Sequence, residues 1–301
     1  MRGRCPDAPS CDVFPPLYLL GVTPGEEIRL KLVLHYDGSR FYGWQIQPEK
    51  RTVQGVLQAA AERLTESRRT VTGSGRTDRG VHATGQVASL VVPPSWTAGS
   101  FRDAMNAVLP DDVWVASAAE VDAGFHPRYD AVARTYRYRV GLTEEARSPF
   151  VRPFCWPVDD EVDVDLLDRA AAPIAGDRSF DAFAKSGQPE RGTRCRVGRA
   201  VWEPWEGRGR IFSITANRYL HHMVRYLVGT MVAVASGRRP LGEMETLLEE
   251  GPSDEIWTSA PAPAEGLFLH RVDYPAEALT AVSDSDAESD SDIETGWRAE
   301  R

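Results

Sequence analysis

Gly73-Ser74-Gly75-Arg76-Thr77-Asp78-Arg79-Gly80-Val81-His82-Ala83-Thr84-Gly85-Gln86 is the stretch around which this chain is organised. Gly73, Gly75, Gly80 and Gly85 crowd into it, which predicts a loop with close backbone approaches and positive φ angles rather than a helix or strand. Asp78 is its only carboxylate, and Arg76 stands two residues before it. In extended backbone that spacing puts both side chains on one side, where a guanidinium would hold the acid ionised and oriented. A carboxylate nucleophile needs this arrangement, and so does a structural ion pair. Two phosphate-binding readings fail. A P-loop requires a lysine that the stretch lacks, and a dinucleotide fingerprint needs glycine where Asp78 stands.

Outward from this loop the pattern alternates between strands and helices. Ile28, Leu30, Leu32 and Leu34 share one face of a strand running to His35, ended by the Asp37-Gly38 turn. Arg40-Phe41-Tyr42-Gly43-Trp44-Gln45-Ile46-Gln47 reads either as a loop packed on the core or as the wall of a site. Thr52 caps a helix whose Val53, Val56, Leu57, Ala60, Ala61 and Leu64 follow helical spacing. Thr70 to Thr72 is a short strand, and Val87 to Val92 an apolar one stopped by Pro93-Pro94. Phe101, Ala104, Met105, Val108 and Leu109 mark a second helix, and Val113 to Val121 a further strand.

The second half of the chain repeats the order. From Ala133 to Val140, Tyr136, Tyr138 and Val140 share one strand face and Arg137 and Arg139 the other. Val164 to Ile174 is helical, 197–203 and 210–216 form a hairpin, and Leu267 to Tyr274 is a closing strand. Leu220 to Ala235 is the most apolar helix, with Arg225 bordering its buried stripe. An arginine there either pairs with a carboxylate or snorkels to solvent. The expected architecture is α+β: two related halves, 27–125 and 126–275, on a mostly antiparallel sheet with a central cleft.

Composition bounds the function. The net charge of −9 is concentrated in the C-terminal residues 276–301, whose Ser-Asp repeats read as disordered, and the body is close to neutral. A neutral body argues against a purely electrostatic nucleic-acid binder but leaves room for a local basic face, such as the arginine-dense Gln188 to Arg199. Residues 1–26, with five prolines, read as a loosely ordered extension. No stretch approaches a membrane-spanning length, and Cys5, Cys11, Cys155 and Cys195 show no Cys-x-x-Cys spacing, so reduced thiols in a cytosol are expected. His221-His222 is the one histidine cluster. Adjacent helical residues point about 100° apart, a poor chelate, so no metal is expected.

Six separated motifs, in this order, resemble the tRNA pseudouridine synthases of the A type. They are Tyr36-Asp37-Gly38 with Tyr42-Gly43-Trp44-Gln45; Gly75-Arg76-Thr77-Asp78-x-Gly80-Val81-His82-Ala83; Phe125-His126-Pro127-Arg128; Arg134-Thr135-Tyr136-Arg137-Tyr138; His222-Met223-Val224-Arg225; and Ala262-Pro263-Ala264-x-Gly266-Leu267. The resemblance implies ferredoxin-like halves and isomerisation of uridine to pseudouridine in the anticodon stem-loop, at tRNA positions 38, 39 and 40. It implies Asp78 as nucleophile, with Arg76 assisting base flipping and pairing with the acid. Tyr136 is implied to stack on the uracil, and Arg225 to pair with Asp78. It also implies a homodimer acting on tRNA without metal or organic cofactor. Arg79 departs from the family's usual small residue. The competing reading is an RNA-binding protein that keeps the scaffold without the chemistry.

Overall fold

The structure, a computed structural model, describes residues 27–185 and 192–279. The extension 1–26, the Ser-Asp repeats and the start of Gln188 to Arg199 lie outside the described residues. Strand β1 (Ile28–Tyr36) buries Leu30, Leu32 and Leu34 as its alternation requires. Helix α1 (Val53–Thr65) starts where the Thr52 side chain accepts from the Gly55 N–H at 3.3 Å. After it come β2 (Thr72–Gly73), β3 (His82–Val92), α2 (Ala98–Val108) and β4 (Val113–Val121). Then follow β5 (Ala133–Gly141), β6 (Trp156–Pro157), α3 (Val164–Ala171), β7 (Gly176–Ser179), β8 (Arg194–Trp205) and β9 (Gly209–Ala216). Helices α4 (Met223–Ala235) and α5 (Glu243–Glu249) precede β10 (Leu267–Asp273).

The strands build one sheet in the order β4-β1-β3-β10-β5-β9-β8-β7, with β2 on β3 and β6 on β5. Along that path every junction is antiparallel except β3 with β10, where Phe268 lies beside His82 and Leu269 beside Ala83. The chain is therefore α+β on a large, mostly antiparallel sheet. One apolar core gathers α1 and α2 on the first strands, and a second gathers α3, α4 and α5 on the later ones. Tyr136 packs against both cores, at the seam where the two groups of strands meet. No helix among the described residues is long and apolar enough to cross a membrane.

Several boundaries differ from the pattern-based expectation, each for a physical reason. Strand β3 begins at His82, so Gly85 lies inside a strand rather than a loop. A Cβ on Gly85 would sit 2.0 Å from the His270 carbonyl oxygen, so this glycine serves the close approach of β10. Gly73 is likewise in a strand, because the Trp44 ring occupies the space a Cβ would need, 2.5 Å away. Helix α3 stops at Ala171, and a 3-10 turn containing Pro173 completes the expected span to Ile174. Helix α4 starts at Met223, not Leu220. Helix α5 and the short strands β6 and β7 have too few residues to show a period.

Candidate active site

The backbone of the glycine-rich loop is clamped from below by the motif that precedes it. Trp44, 2% exposed, donates its backbone N–H to the Thr77 carbonyl at 3.0 Å. The buried Tyr36 hydroxyl lies 2.8 Å from Thr77 Oγ1. Gly43 has φ +89°, and a Cβ there would approach the Thr77 carbonyl oxygen to 2.6 Å. Gln86 takes the Ser74 hydroxyl at 2.7 Å and donates to the Gly75 carbonyl at 2.9 Å. Arg134 reaches across from β5 to donate to the Ser74 carbonyl at 2.9 Å. Past Asp78 the chain turns at Gly80, φ +81°, closed by the Val81 N–H donating to the Asp78 carbonyl at 3.1 Å. The stretch around Tyr42 thus resolves into two parts: a buried clamp (Phe41, Gly43, Trp44) and an exposed Tyr42 ring. Lys50 and Arg79 lie over that ring at 4.7 and 4.5 Å.

The Asp78 carboxylate, one third exposed, faces the two histidines that precede α4. His221 Nε2 lies 3.3 Å from Oδ1 and His222 Nε2 lies 3.4 Å from Oδ2. The helical-spacing argument against these histidines converging therefore fails. Both precede α4, and His222 holds φ +64°, ψ +6°, a left-handed conformation unusual for a non-glycine residue. That bend turns the two rings toward one carboxylate, their centroids 4.2 Å apart. Strain of this kind persists where the surroundings over-determine it, and it collects at functional sites. Desolvation pulls the His222 pKa below its ordinary value, with Asp78 opposing the shift and Arg225, His221 and Lys185 adding to it. Near neutral pH the His222 contact is therefore between a carboxylate and an uncharged imidazole.

The other residues expected at the site divide. Arg76 is exposed and donates to Gln45 Oε1 at 3.1 Å; among the described residues the ion-pair partners of Asp78 are His221 and His222. Arg225 does not pair with Asp78; its Nε donates to the Ala262 carbonyl at 2.6 Å, and its own carbonyl accepts from the Ala262 N–H at 2.9 Å. The reason is the loop 259–266, which lies on α4 at Gly229, where a Cβ would meet the Ala260 oxygen at 2.2 Å. This loop also accepts the Tyr138 hydroxyl at the Pro263 carbonyl, 2.7 Å. Through Ala264 it reaches Gly80 behind the acid, 3.1 Å from where a Cβ would stand. Arg225 is thus tied to the strut behind the glycine-rich loop. Tyr136 sits at the seam, edge-on to Tyr219 at 4.8 Å, and burial pushes its phenol up to about 12. Buried Cys155 and Cys195 have raised thiol pKa values, Cys195 to about 11, and are unreactive at neutral pH.

Comparison with known proteins gives this arrangement a context. The family model described as tRNA pseudouridine synthase matches residues 32–130 and 170–275, more than half of the chain. The chain belongs to the tRNA pseudouridine synthase family. A protein of Myxococcus xanthus named tRNA pseudouridine synthase A is 38% identical over 265 residues, 87% of this chain and 98% of that one. The proteins of that name from Geobacter sp. strain M21 and Thermotoga maritima are 35% and 36% identical. They cover 82% and 81% of this chain and 98% of their own lengths. The family is one of isomerases, so the chain is read as an enzyme. Within the matched stretches lie Arg76, Asp78, His221, His222 and Arg225, whereas Tyr136 falls between them.

His221 and the left-handed bend at His222 are the site features that sequence reasoning missed. The available signal was the His221-His222 dipeptide placed just before a strongly apolar helix. The cavity of about 400 Å³ lined by Trp156, Gly229, Ala233, Ala260 and Pro261 lies on another side of α4, and neither Asp78 nor Tyr136 lines it.

Proposed function

We propose that this protein isomerises uridine to pseudouridine in the anticodon stem-loop of tRNA, at positions 38, 39 and 40, with Asp78 as nucleophile. The observation that carries the reading is Asp78 itself. It is a partly exposed carboxylate on an immobilised loop, at the seam of the two strand groups, faced by Tyr136 and by imidazoles from the far half. Isomerisation breaks the N1–C1′ bond, turns the base and joins C5 to C1′, releasing the C5 proton to solvent. A carboxylate can attack the sugar or the base, or take the sugar proton, and then leave without a cofactor. The target base has to leave its stack at a cost of a few kcal/mol, part of which a tyrosine ring recovers. Tyr136, kept protonated by burial, suits that stacking role. Exposed Arg76 would exchange its Gln45 contact for the flipped nucleotide, and Arg225 acts by holding the 259–266 strut.

The same reading takes 27–125 and 126–275 as ferredoxin-like repeats with the site in the cleft between them. Their strand orders, β4-β1-β3-β2 and β10-β5-β9-β8, support it, each being the fourth, first, third and second of a βαββαβ unit. A homodimer sharing one tRNA, in the cytoplasm, completes the proposal. The test uses unmodified tRNA transcripts with a single uridine at position 38, 39 or 40, mapped by carbodiimide-dependent reverse-transcription stops. A new stop at those positions is the expected result. Stops confined to another region would reject the anticodon assignment, and tRNA binding without any stop would favour a binding protein on this scaffold.

A further inference from the structure

Asp78 Oδ1, Asp78 Oδ2 and the two histidine Nε2 atoms make a donor set that base isomerisation does not require. One donor atom from each of Asp78, His221 and His222 can be chosen with all three within 4.8 Å of one another. His221 Nε2 stands 3.3 Å from Oδ1 and His222 Nε2 3.4 Å from Oδ2 of the one carboxylate. Donors bound at about 2.0–2.1 Å to a tetrahedral zinc ion stand about 3.3–3.4 Å apart, which these two carboxylate–imidazole separations match. The two imidazoles are borderline ligands that, beside one carboxylate, select Zn²⁺-like ions over Mg²⁺ or Ca²⁺. The left-handed backbone at His222 is what aims the second imidazole inward. His221, 48% exposed, leaves the site open for entry and free to rotate its ring onto an ion.

We propose that Asp78, His221 and His222 bind a Zn²⁺-type dication, and that occupation switches the enzyme off by engaging its nucleophilic carboxylate. The second half of this statement rests on the isomerase reading above; the first half does not. Arg225 and Lys185 place positive charge near His222, which opposes a cation and makes binding weaker than that of a structural zinc. Water or a substrate oxygen would complete the shell as a fourth ligand.

The test titrates the metal-free full chain with Co²⁺, reading the visible d–d absorption of a tetrahedral ion, and with Zn²⁺ by calorimetry. One equivalent per chain is expected, without the near-ultraviolet charge-transfer band of a thiolate ligand. Asp78→Asn, His221→Ala and His222→Asn should each weaken binding at least about tenfold. His222→Asn keeps a residue type that tolerates the left-handed backbone, so loss of binding there is not loss of fold. In parallel, pseudouridine formation should be half-inhibited at the zinc concentration that half-fills the site, and EDTA should restore it. Absent binding, a thiolate band, or unchanged affinity in all three variants would overturn the site. Binding with full activity at saturation would overturn the switch. Stoichiometric binding by a protein inactive on every tRNA would uphold the site and reject the isomerase reading instead.

Discussion

Behind Asp78 the chain is pinned by Tyr36, Gly43, Trp44, Gln86 and Arg134, through buried hydrogen bonds and contacts too close for any side chain on Gly43. In front of it, among the described residues, the carboxylate meets two imidazoles at 3.3 and 3.4 Å, one of them nearly half exposed. The difference separates two tasks. On the proposed reading, the backbone of a nucleophile has to be placed once and kept, which buried hydrogen bonds do well. On the same reading the carboxylate has to release its partners and meet a substrate, which partly solvated contacts allow because each contributes little to stability. The arginines expected to hold the acid instead brace the scaffold (Arg225) or reach outward (Arg76).

Substitutions behind the acid should therefore act on stability, and those in front on function. The largest effect is expected from Gly43→Ala, which meets both a positive φ and the Thr77 carbonyl. It should cost about 2–3 kcal/mol in chemical denaturation, and a change within about 0.5 kcal/mol would break the idea of a clamped loop. Tyr36→Phe strands the buried Thr77 hydroxyl and should cost about 1–2 kcal/mol. If Tyr36→Phe with Thr77→Val costs the sum of the two single changes, the pair is not coupled and the clamp is looser than described.

In front of the acid, His222→Gly should leave stability unchanged or raise it by up to about 1 kcal/mol, by relieving the left-handed strain, while lowering turnover. A loss of stability larger than that would make the imidazole a structural residue and erase the contrast. The smallest effect concerns pH. The folded His222 pKa is depressed, so its stabilising contribution is complete above the unfolded value near 6.5 and is lost as pH falls through the lower folded value. Urea midpoints between about pH 7 and pH 5 should thus fall more in the wild type than in His222→Gly. Equal slopes would mean that the imidazole is not desolvated in the folded protein.

The backbone side was largely legible in the sequence and the carboxylate side was not. Alternation over Leu30, Leu32 and Leu34, the Thr52 cap and the helical spacing of Leu57 and Ala61 are local signals, and the elements stand where those signals put them. Asp78 stands out in the sequence as a lone acid among glycines two residues after Arg76, a pattern that serves a nucleophile and a structural ion pair alike. The roles of Gly43 and Gly85 depend on which backbone comes to lie against them, Thr77 in one case and His270 in the other, and composition alone misread Gly85 as a loop residue. The convergence of His221 and His222 depends on one backbone angle, which no side-chain pattern encodes. Arg225 was noticed as a charge beside an apolar stripe, but its partner is a main-chain carbonyl, invisible to any search for opposite charges.

The account stands most directly on Asp78, and tritium release from tRNA carrying 5-tritiated uridine tests it in one assay. Joining C5 to C1′ expels the label, so the wild type should release it, and Asp78→Asn should lose about 10⁴-fold or more in rate while still binding tRNA. Release by Asp78→Asn at a rate near that of the wild type would contradict the assignment of the nucleophile, and no release by either protein would contradict the isomerase reading itself.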